Sequence, residues 1–261
     1  MLGDPDQETS AALLDALVHG GADMIEVGIP FSDPIADGPV IQAAANRALR
    51  AGVRVDDCFE LLADFRDRHS DVPMGILTYA NLLAARGRER FCLDAAAAGA
   101  DSLLVADVPA LEAEPYVEAA RGAGLDFVMI AARNTPGQTL ARIARLCSGY
   151  TYCVTRMGVT GVRDELDLGH GRLFTELERL QAPPPVLGFG ISTPSQVQQA
   201  IAVGAAGVIS GSAIVRLAGA GASPGRIASF VAAMKDAACP TSGNGKMFAN
   251  VRGRLRDRPP C

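Results

Sequence analysis

The sequence predicts an α/β fold of the (β/α)8 barrel type, and three features of the chain lead there. Short runs rich in Val, Ile and Leu alternate with amphipathic stretches of helical period, the order expected of successive βα units around a parallel sheet. A small motif that closes a helix and opens a strand recurs at Gly20-Gly21-Ala22-Asp23, Ala98-Gly99-Ala100-Asp101 and Gly204-Ala205-Ala206-Gly207. The length, 261 residues of which 49% are hydrophobic, supports one large core and fits a single barrel of roughly 250 residues.

Taken in order, Asp4-Pro5-Asp6 supply a cap and a first-turn proline for a helix carrying Ala11, Leu14 and Leu17, which stops at Gly20. Seven strands are then expected: Met24 to Pro30, Pro73 to Tyr79, Ser102 to Pro109, Asp126 to Ala132, Tyr150 to Thr155, Pro185 to Ile191 and Gly207 to Ile214. Before the last of these, Ser192-Thr193-Pro194-Ser195 start a helix with Val197, Ala200 and Ile201 on its apolar face, ending at Gly204. After Ala238 the pattern dissolves into Cys239-Pro240-Thr241-Ser242-Gly243-Asn244-Gly245 and a basic end with Arg252, Arg254, Arg256 and Arg258. Residues 1–238 are therefore expected to form the barrel domain and residues 239–261 a flexible, solvated tail.

Composition removes several function classes. A formal charge of -5, with basic residues scattered singly through the body of the chain, gives no footprint for nucleic acid. The first residues lack the basic and apolar regions of a signal peptide, and no apolar run is long enough to cross a bilayer, which reads as a cytoplasmic protein. Cys58, Cys92, Cys147, Cys153, Cys239 and Cys261 form no Cys-x-x-Cys pair, and His19, His69 and His170 are isolated from one another. Neither a metal site nor a disulfide framework is indicated, so acid–base chemistry falls to carboxylates, Tyr or Lys.

Three constellations could carry that chemistry. In the first expected strand, alternation puts Met24, Glu26 and Gly28 on one face and Ile25, Val27 and Ile29 on the other, which aims Glu26 into the barrel lumen. A carboxylate there costs several kcal/mol unless paired or protonated, and no expected strand core supplies a lysine for it; an elevated pKa suited to proton transfer follows. Asp37 lies in the Pro/Gly-framed loop after this strand, at the end where barrels place catalytic groups, although Asp-Gly is also a common turn pair. Tyr152 lies in strand-like sequence and reads equally as core or as site, and the loop that follows, Arg156-Met157-Gly158-Val159-Thr160-Gly161, suits a mobile lid or a phosphate contact. Glycines at two consecutive strand ends, in Gly188-Phe189-Gly190-Ile191-Ser192 and Ile209-Ser210-Gly211-Ser212-Ala213, free backbone N–H groups for a phosphate dianion.

The stretch Glu26 to Gln42, EVGIPFSDPIADGPVIQ, closely resembles the signature of the tryptophan synthase α-subunit family. TYANLL from Thr78, LLVADVP from Leu103, YCVTRMGVTG from Tyr152, GFGIS from Gly188 and SGSAIV from Ser210 resemble the family's later segments in the same order, so the likeness runs from about Gly3 to Ala237. The resemblance implies a lyase that splits indole-3-glycerol phosphate into indole and glyceraldehyde 3-phosphate. By position it implies that Glu26 transfers protons, that Asp37 meets the indole nitrogen and that Tyr152 supports the site. Ile41, Tyr79, Leu104 and Ile130 would line the apolar indole slot, and Thr160, Gly161, Gly190, Gly211 and Ser212 would hold the phosphate, with no metal or organic cofactor required. A further implication is an α2β2 assembly with a pyridoxal-phosphate-bearing β subunit that receives indole through a tunnel, Asp33-Pro34 and Asn81 being parts of the contact.

Family members normally carry an N-terminal helix and a first barrel strand before the segment matched by Leu2-Gly3-Asp4-Pro5, where this chain begins, so a barrel wall short of one strand is expected, with two exposed edges. Arg133 and the tail also differ from typical members. A second reading is a catalytically weak subunit that binds and activates a β subunit, against which stand the intact Glu26, Asp37 and Tyr152. A third is another phosphate-binding barrel, such as an isomerase or indoleglycerol-phosphate synthase; the synthase would be expected to carry a lysine on a strand, and none of the candidate strands has one.

Overall fold

The computed structural model describes residues 1–154, 170–188 and 190–238. Elements run in the order α1 (Gln7–His19), β1 (Ile25–Gly28), α2 (Pro39–Arg50), α3 (Val55–Arg68), β2 (Met74–Thr78), α4 (Ala80–Arg86), α5 (Arg88–Ala97) and β3 (Ser102–Val105). A 3-10 turn at Ala110–Glu112 leads to α6 (Glu114–Gly122), β4 (Asp126–Phe127), β5 (Met129–Ala132), α7 (Gly137–Leu146) and β6 (Thr151–Val154). The chain closes with α8 (Gly171–Arg179), β7 (Pro185–Gly188), α9 (Pro194–Ala202), β8 (Gly207–Val208), α10 (Ser212–Gly219) and α11 (Pro224–Ala238).

All strand pairs are parallel and follow chain order, β1-β2-β3-β4 in one sheet and β5-β6-β7-β8 in the other. The two sheets are one wall interrupted at a single residue. Asp126 to Ala132, expected as one strand, splits at Val128, yet the Val128 N–H still donates to the Leu103 carbonyl of β3 at 2.9 Å. β1 and β8 are the outer strands of the two sheets; on the β1 side the Leu2 N–H donates to the Gly28 carbonyl at 2.9 Å.

Two apolar layers result from strand alternation. Ile25, Val27, Ile76, Leu103, Ala131, Cys153 and Leu187 face outward into the large core beneath the helices. Leu104, Val128, Tyr150, Tyr152, Val154 and Val186 face inward and fill the lumen. Strands buried on both faces need helices on the outside, which is why the sequence reads as short continuous apolar runs.

At the N-terminal ends of β2 and β3, Arg66 of α3 donates to the carbonyls of Gly99, His69, Ser70 and Val72 and pairs with Asp101 at 2.6 Å. Asp101 in turn accepts the Met74 N–H, so one guanidinium ties a helix end to two strand starts. The α1 cap departs from the sequence expectation. Asp6, not Asp4, accepts the Thr9 N–H, and Pro5 precedes the helix instead of opening it. Asp4 is buried and forms a two-bond pair with Arg47 of α2 at 2.7 and 2.8 Å. The α9 start is as expected, Thr193 and Gln196 closing a capping box around Pro194. The expected tail, residues 239–261, lies outside the described residues, as do Thr155 and Phe189. No helix among the described residues is long and apolar enough to cross a membrane.

Candidate active site

Glu26 reaches the lumen because β1 alternates: Ile25 and Val27 are buried against helices while Glu26 and Gly28 stay partly open to the interior. Across the barrel, the Tyr150 hydroxyl donates to Glu26 Oε1 at 2.8 Å. Burial raises the Glu26 pKa from 4.5 to about 7, and the Tyr150 hydrogen bond opposes that rise. A carboxyl poised near neutrality can give and take a proton in one catalytic cycle.

Asp37 stands at the mouth, in the loop after β1. Two tight turns fold this loop, Ile35 N–H to the Asp33 carbonyl at 2.9 Å and Asp37 N–H to the Pro34 carbonyl at 3.0 Å. Tyr79, one residue past β2, pins it: its hydroxyl donates to Asp37 Oδ2 at 2.8 Å and accepts the Ala36 N–H at 3.2 Å, while its ring stacks on Phe31 at 5.1 Å. Burial raises the Asp37 pKa, opposed by the bond from Tyr79. The sequence reading makes Tyr79 a wall of the indole slot; its hydroxyl also orients Asp37.

Tyr152 lies on the lumen face of β6, two residues from Tyr150, and both carboxylates reach it electrostatically: burial first, then Glu26 and Asp37, push its pKa well above the ordinary tyrosine value. Gly188 of β7 makes room for it, since a Cβ at that position would lie 2.5 Å from carbons of the Tyr152 ring. Leu104 is buried in the lumen cluster and Ile130 packs against it. Ile41 sits on α2, half-buried, outside that cluster. Sequence reasoning missed Tyr150, although its two-residue spacing from Tyr152 puts both on one face.

At the ends of β7 and β8 the glycine segments come together, with the Ser210 hydroxyl donating to the Ile191 carbonyl at 2.8 Å. Gly190 has φ +88, a conformation that favours glycine, and nothing lies within 4 Å of a Cβ built on Gly190 or Gly211. Ser212 opens α10, whose N-cap Gly211 offers no side-chain cap to the first-turn N–H groups. Thr160 and Gly161, the other expected phosphate contacts, lie outside the described residues.

The four cysteines among the described residues are all buried. Burial pushes the thiols of Cys58, Cys147 and Cys153 up to about 12 and that of Cys92 to about 11, so none is a thiolate nucleophile near neutral pH. Among the described residues no group of three or more His, Cys, Asp or Glu side chains is placed to hold a metal ion.

Comparison with known proteins bears on the family and the fold. A family model described as "Tryptophan synthase alpha chain" matches residues 1–236. A tryptophan synthase alpha chain of Shewanella amazonensis is 52% identical over 215 residues, covering 82% of this chain and 81% of the relative. The tryptophan synthase complex of Pyrococcus furiosus contains a chain that superimposes with a TM-score of 0.80 at 34% identity, covering 90% of this chain and 94% of that one. A second Pyrococcus furiosus structure, described as the tryptophan synthase a2b2 complex, matches with a TM-score of 0.79 at 36% identity, over 90% and 92% of the two chains.

Proposed function

This chain belongs to the tryptophan synthase alpha chain family, a family of lyases that cleave indole-3-glycerol phosphate, and from that premise we propose how its own residues carry out the cleavage. The observation that carries the assignment is the pair of half-buried carboxyls, Glu26 and Asp37, both raised in pKa by desolvation and each held by a tyrosine hydroxyl. Two carboxyls of different environment can divide acid and base work.

The indole ring occupies the lumen against Leu104, Ile130 and Tyr152, with Ile41 and Tyr79 nearer the mouth. Its N–H faces Asp37. Protonated Glu26 gives its proton to indole C3, and Asp37, ionised, stabilises the positive charge that spreads to N1. Glu26, now a carboxylate, takes the proton of the adjacent glycerol hydroxyl. The carbonyl of glyceraldehyde 3-phosphate forms, the bond to C3 breaks, its electron pair restores the aromatic indole, and Glu26 is again protonated. Tyr150 keeps the Glu26 carboxylate accessible in energy, and Gly190, Gly211 and Ser212, together with Thr160 and Gly161, hold the phosphate.

Assembly with a β subunit into an α2β2 complex is part of the same proposal. Ile35 and Leu111 are 79% and 69% exposed in loops after β1 and β3, on the end of the barrel where the site opens, beside the exposed Asp33. Exposed apolar groups at that mouth suit a partner that takes indole directly. Residues 1–238 act as one lyase domain, in which, among the described residues, β1 and β8 are the outer strands of the two sheets.

Indole release from indole-3-glycerol phosphate, measured for the parent and for Glu26→Gln with and without a β subunit, tests the assignment. Loss of roughly 10²–10⁴-fold in kcat for a folded Glu26→Gln is expected. Parent-like turnover in that variant would remove Glu26 from the chemistry.

A further inference from the structure

We propose that Ser210 and Gln196 are positioning residues that fix the phosphate-binding segment Gly190–Thr193 against Gly211 and Ser212; this rests on the phosphate site assigned above. The backbone ladder between β7 and β8 pairs Val186 with Gly207 and Leu187 with Val208, and a bond runs from the Ile209 N–H to the Leu187 carbonyl at 2.9 Å. Beyond that bond the two strand ends part, one turning into α9 and the other into α10. Among the described residues no further backbone bond of the ladder ties Gly190 to Gly211.

Two side chains restrain the segment that follows. Ser210 Oγ donates to the Ile191 carbonyl at 2.8 Å, and Ile191 itself is buried. On the other side of the segment, Gln196 Oε1 accepts the Ser192 N–H at 2.7 Å, the Thr193 N–H at 3.1 Å and the Ser192 hydroxyl at 3.2 Å. A capping box requires only the bond to the N-cap N–H, here Thr193. The bonds to Ser192 reach one residue further upstream, and the side chain that makes them is 3% exposed. They restrain the loop and add nothing to the helix.

Among the described residues, nothing lies within 4 Å of a Cβ built on Gly190 or Gly211, so the restrained backbone is open to a ligand there. Misplacing such a cradle by a fraction of an ångström weakens each N–H bond to a dianion. Because the phosphate is remote from the bond that breaks, the loss is uniform binding and appears in KM.

The test uses the full chain. Ser210→Ala is expected to weaken binding of glycerol 3-phosphate, measured by calorimetry, by about tenfold and to raise KM for indole-3-glycerol phosphate similarly. Binding of indole, which carries no phosphate, and kcat should stay within about twofold, and Ser210→Thr should return both affected values toward the parent. Unchanged glycerol 3-phosphate affinity and KM in Ser210→Ala would overturn the proposal, and so would equal losses for indole and glycerol 3-phosphate, which mark a merely structural role. Should Ser210→Ala fail to fold, Gln196→Glu, which keeps an acceptor oxygen, is compared with Gln196→Met by the same readouts; equal glycerol 3-phosphate affinity in the two overturns it. Gly190→Asp separates this inference from the site assignment. Glycerol 3-phosphate binding that survives a carboxylate in the cradle shows that the phosphate lies elsewhere, whatever Ser210 does.

Discussion

The Tyr79 hydroxyl lies 2.8 Å from Asp37 Oδ2 and also accepts the Ala36 N–H, so one side chain from β2 holds the loop that follows β1. Tyr79→Phe keeps the ring on Phe31 and removes both bonds. Asp37 then loses the bond that opposes its burial, and its pKa rises further. The acid limb of kcat/KM should move up in pH, with a fall of about tenfold at neutral pH from loss of orientation. A pH–rate profile of Tyr79→Phe that overlays the parent's would show that Tyr79 is only a wall of the slot.

Glu26 makes the opposite limb. In the mechanism above the reacting state carries a proton on Glu26, so kcat/KM should fall as pH rises through about 7. Tyr150→Phe removes the bond that favours the carboxylate, which raises the Glu26 pKa and shifts this alkaline limb upward. A limb that moves down, or none near neutrality, contradicts the assignment. Stability gives a second reading of the same group. Its folded pKa lies above the unfolded value, so the folded state binds more protons between pH 4.5 and about 7 and loses stability as pH rises through that window. Glu26→Gln should therefore be more stable than the parent above pH 7, by roughly 1–2 kcal/mol once partial solvent access is allowed for, and the gain should vanish at low pH.

What the sequence made legible was local. Alternation in β1 assigned Glu26 to the lumen because period two depends on the pleat alone, and Thr193-Pro194 announced α9 because a cap is a local bond. Tyr150 was hidden because its bond to Glu26 spans 124 residues: which of two tyrosines on one face of β6 reaches β1 is set by the width of the barrel, and neither residue's neighbours record that. Asp4 and Asp6 were equivalent as letters. The choice of Asp6 as cap leaves Asp4 free for Arg47, forty-three positions away. Arg66, an ordinary helix-face arginine by pattern, proves to serve five partners in the two stretches that lead into β2 and β3.

Gly188 illustrates a residue whose reason lies across the sheet. Read from sequence it belongs to a phosphate turn, but its missing side chain gives space to the Tyr152 ring. Gly188→Ala should displace the Tyr152 ring, cutting indole release more than tenfold at a cost of about 1–3 kcal/mol in stability. A variant with parent-like glycerol 3-phosphate affinity but depressed kcat places the damage at Tyr152. Weakened phosphate binding with unchanged kcat would instead return Gly188 to the phosphate turn.

Thr78, the last residue of β2, is fully buried on the face shared with Met74 and Ile76, and its hydroxyl has no hydrogen-bond partner among the described residues. An unsatisfied buried hydroxyl costs about 1–3 kcal/mol relative to its hydration in the unfolded chain, whereas a methyl of the same shape in that place has no such penalty. Thr78→Val preserves the β-branched shape that the strand favours. It should therefore stabilise the protein by about 1 kcal/mol, a rise in Tm of roughly 2–4 °C for a chain of this size. Indole release should be unaffected, because Thr78 faces the helices and its neighbour Tyr79 keeps its own bonds. The opposite result is equally readable: a fall in Tm means that the hydroxyl is satisfied by an internal water, which a valine would leave stranded.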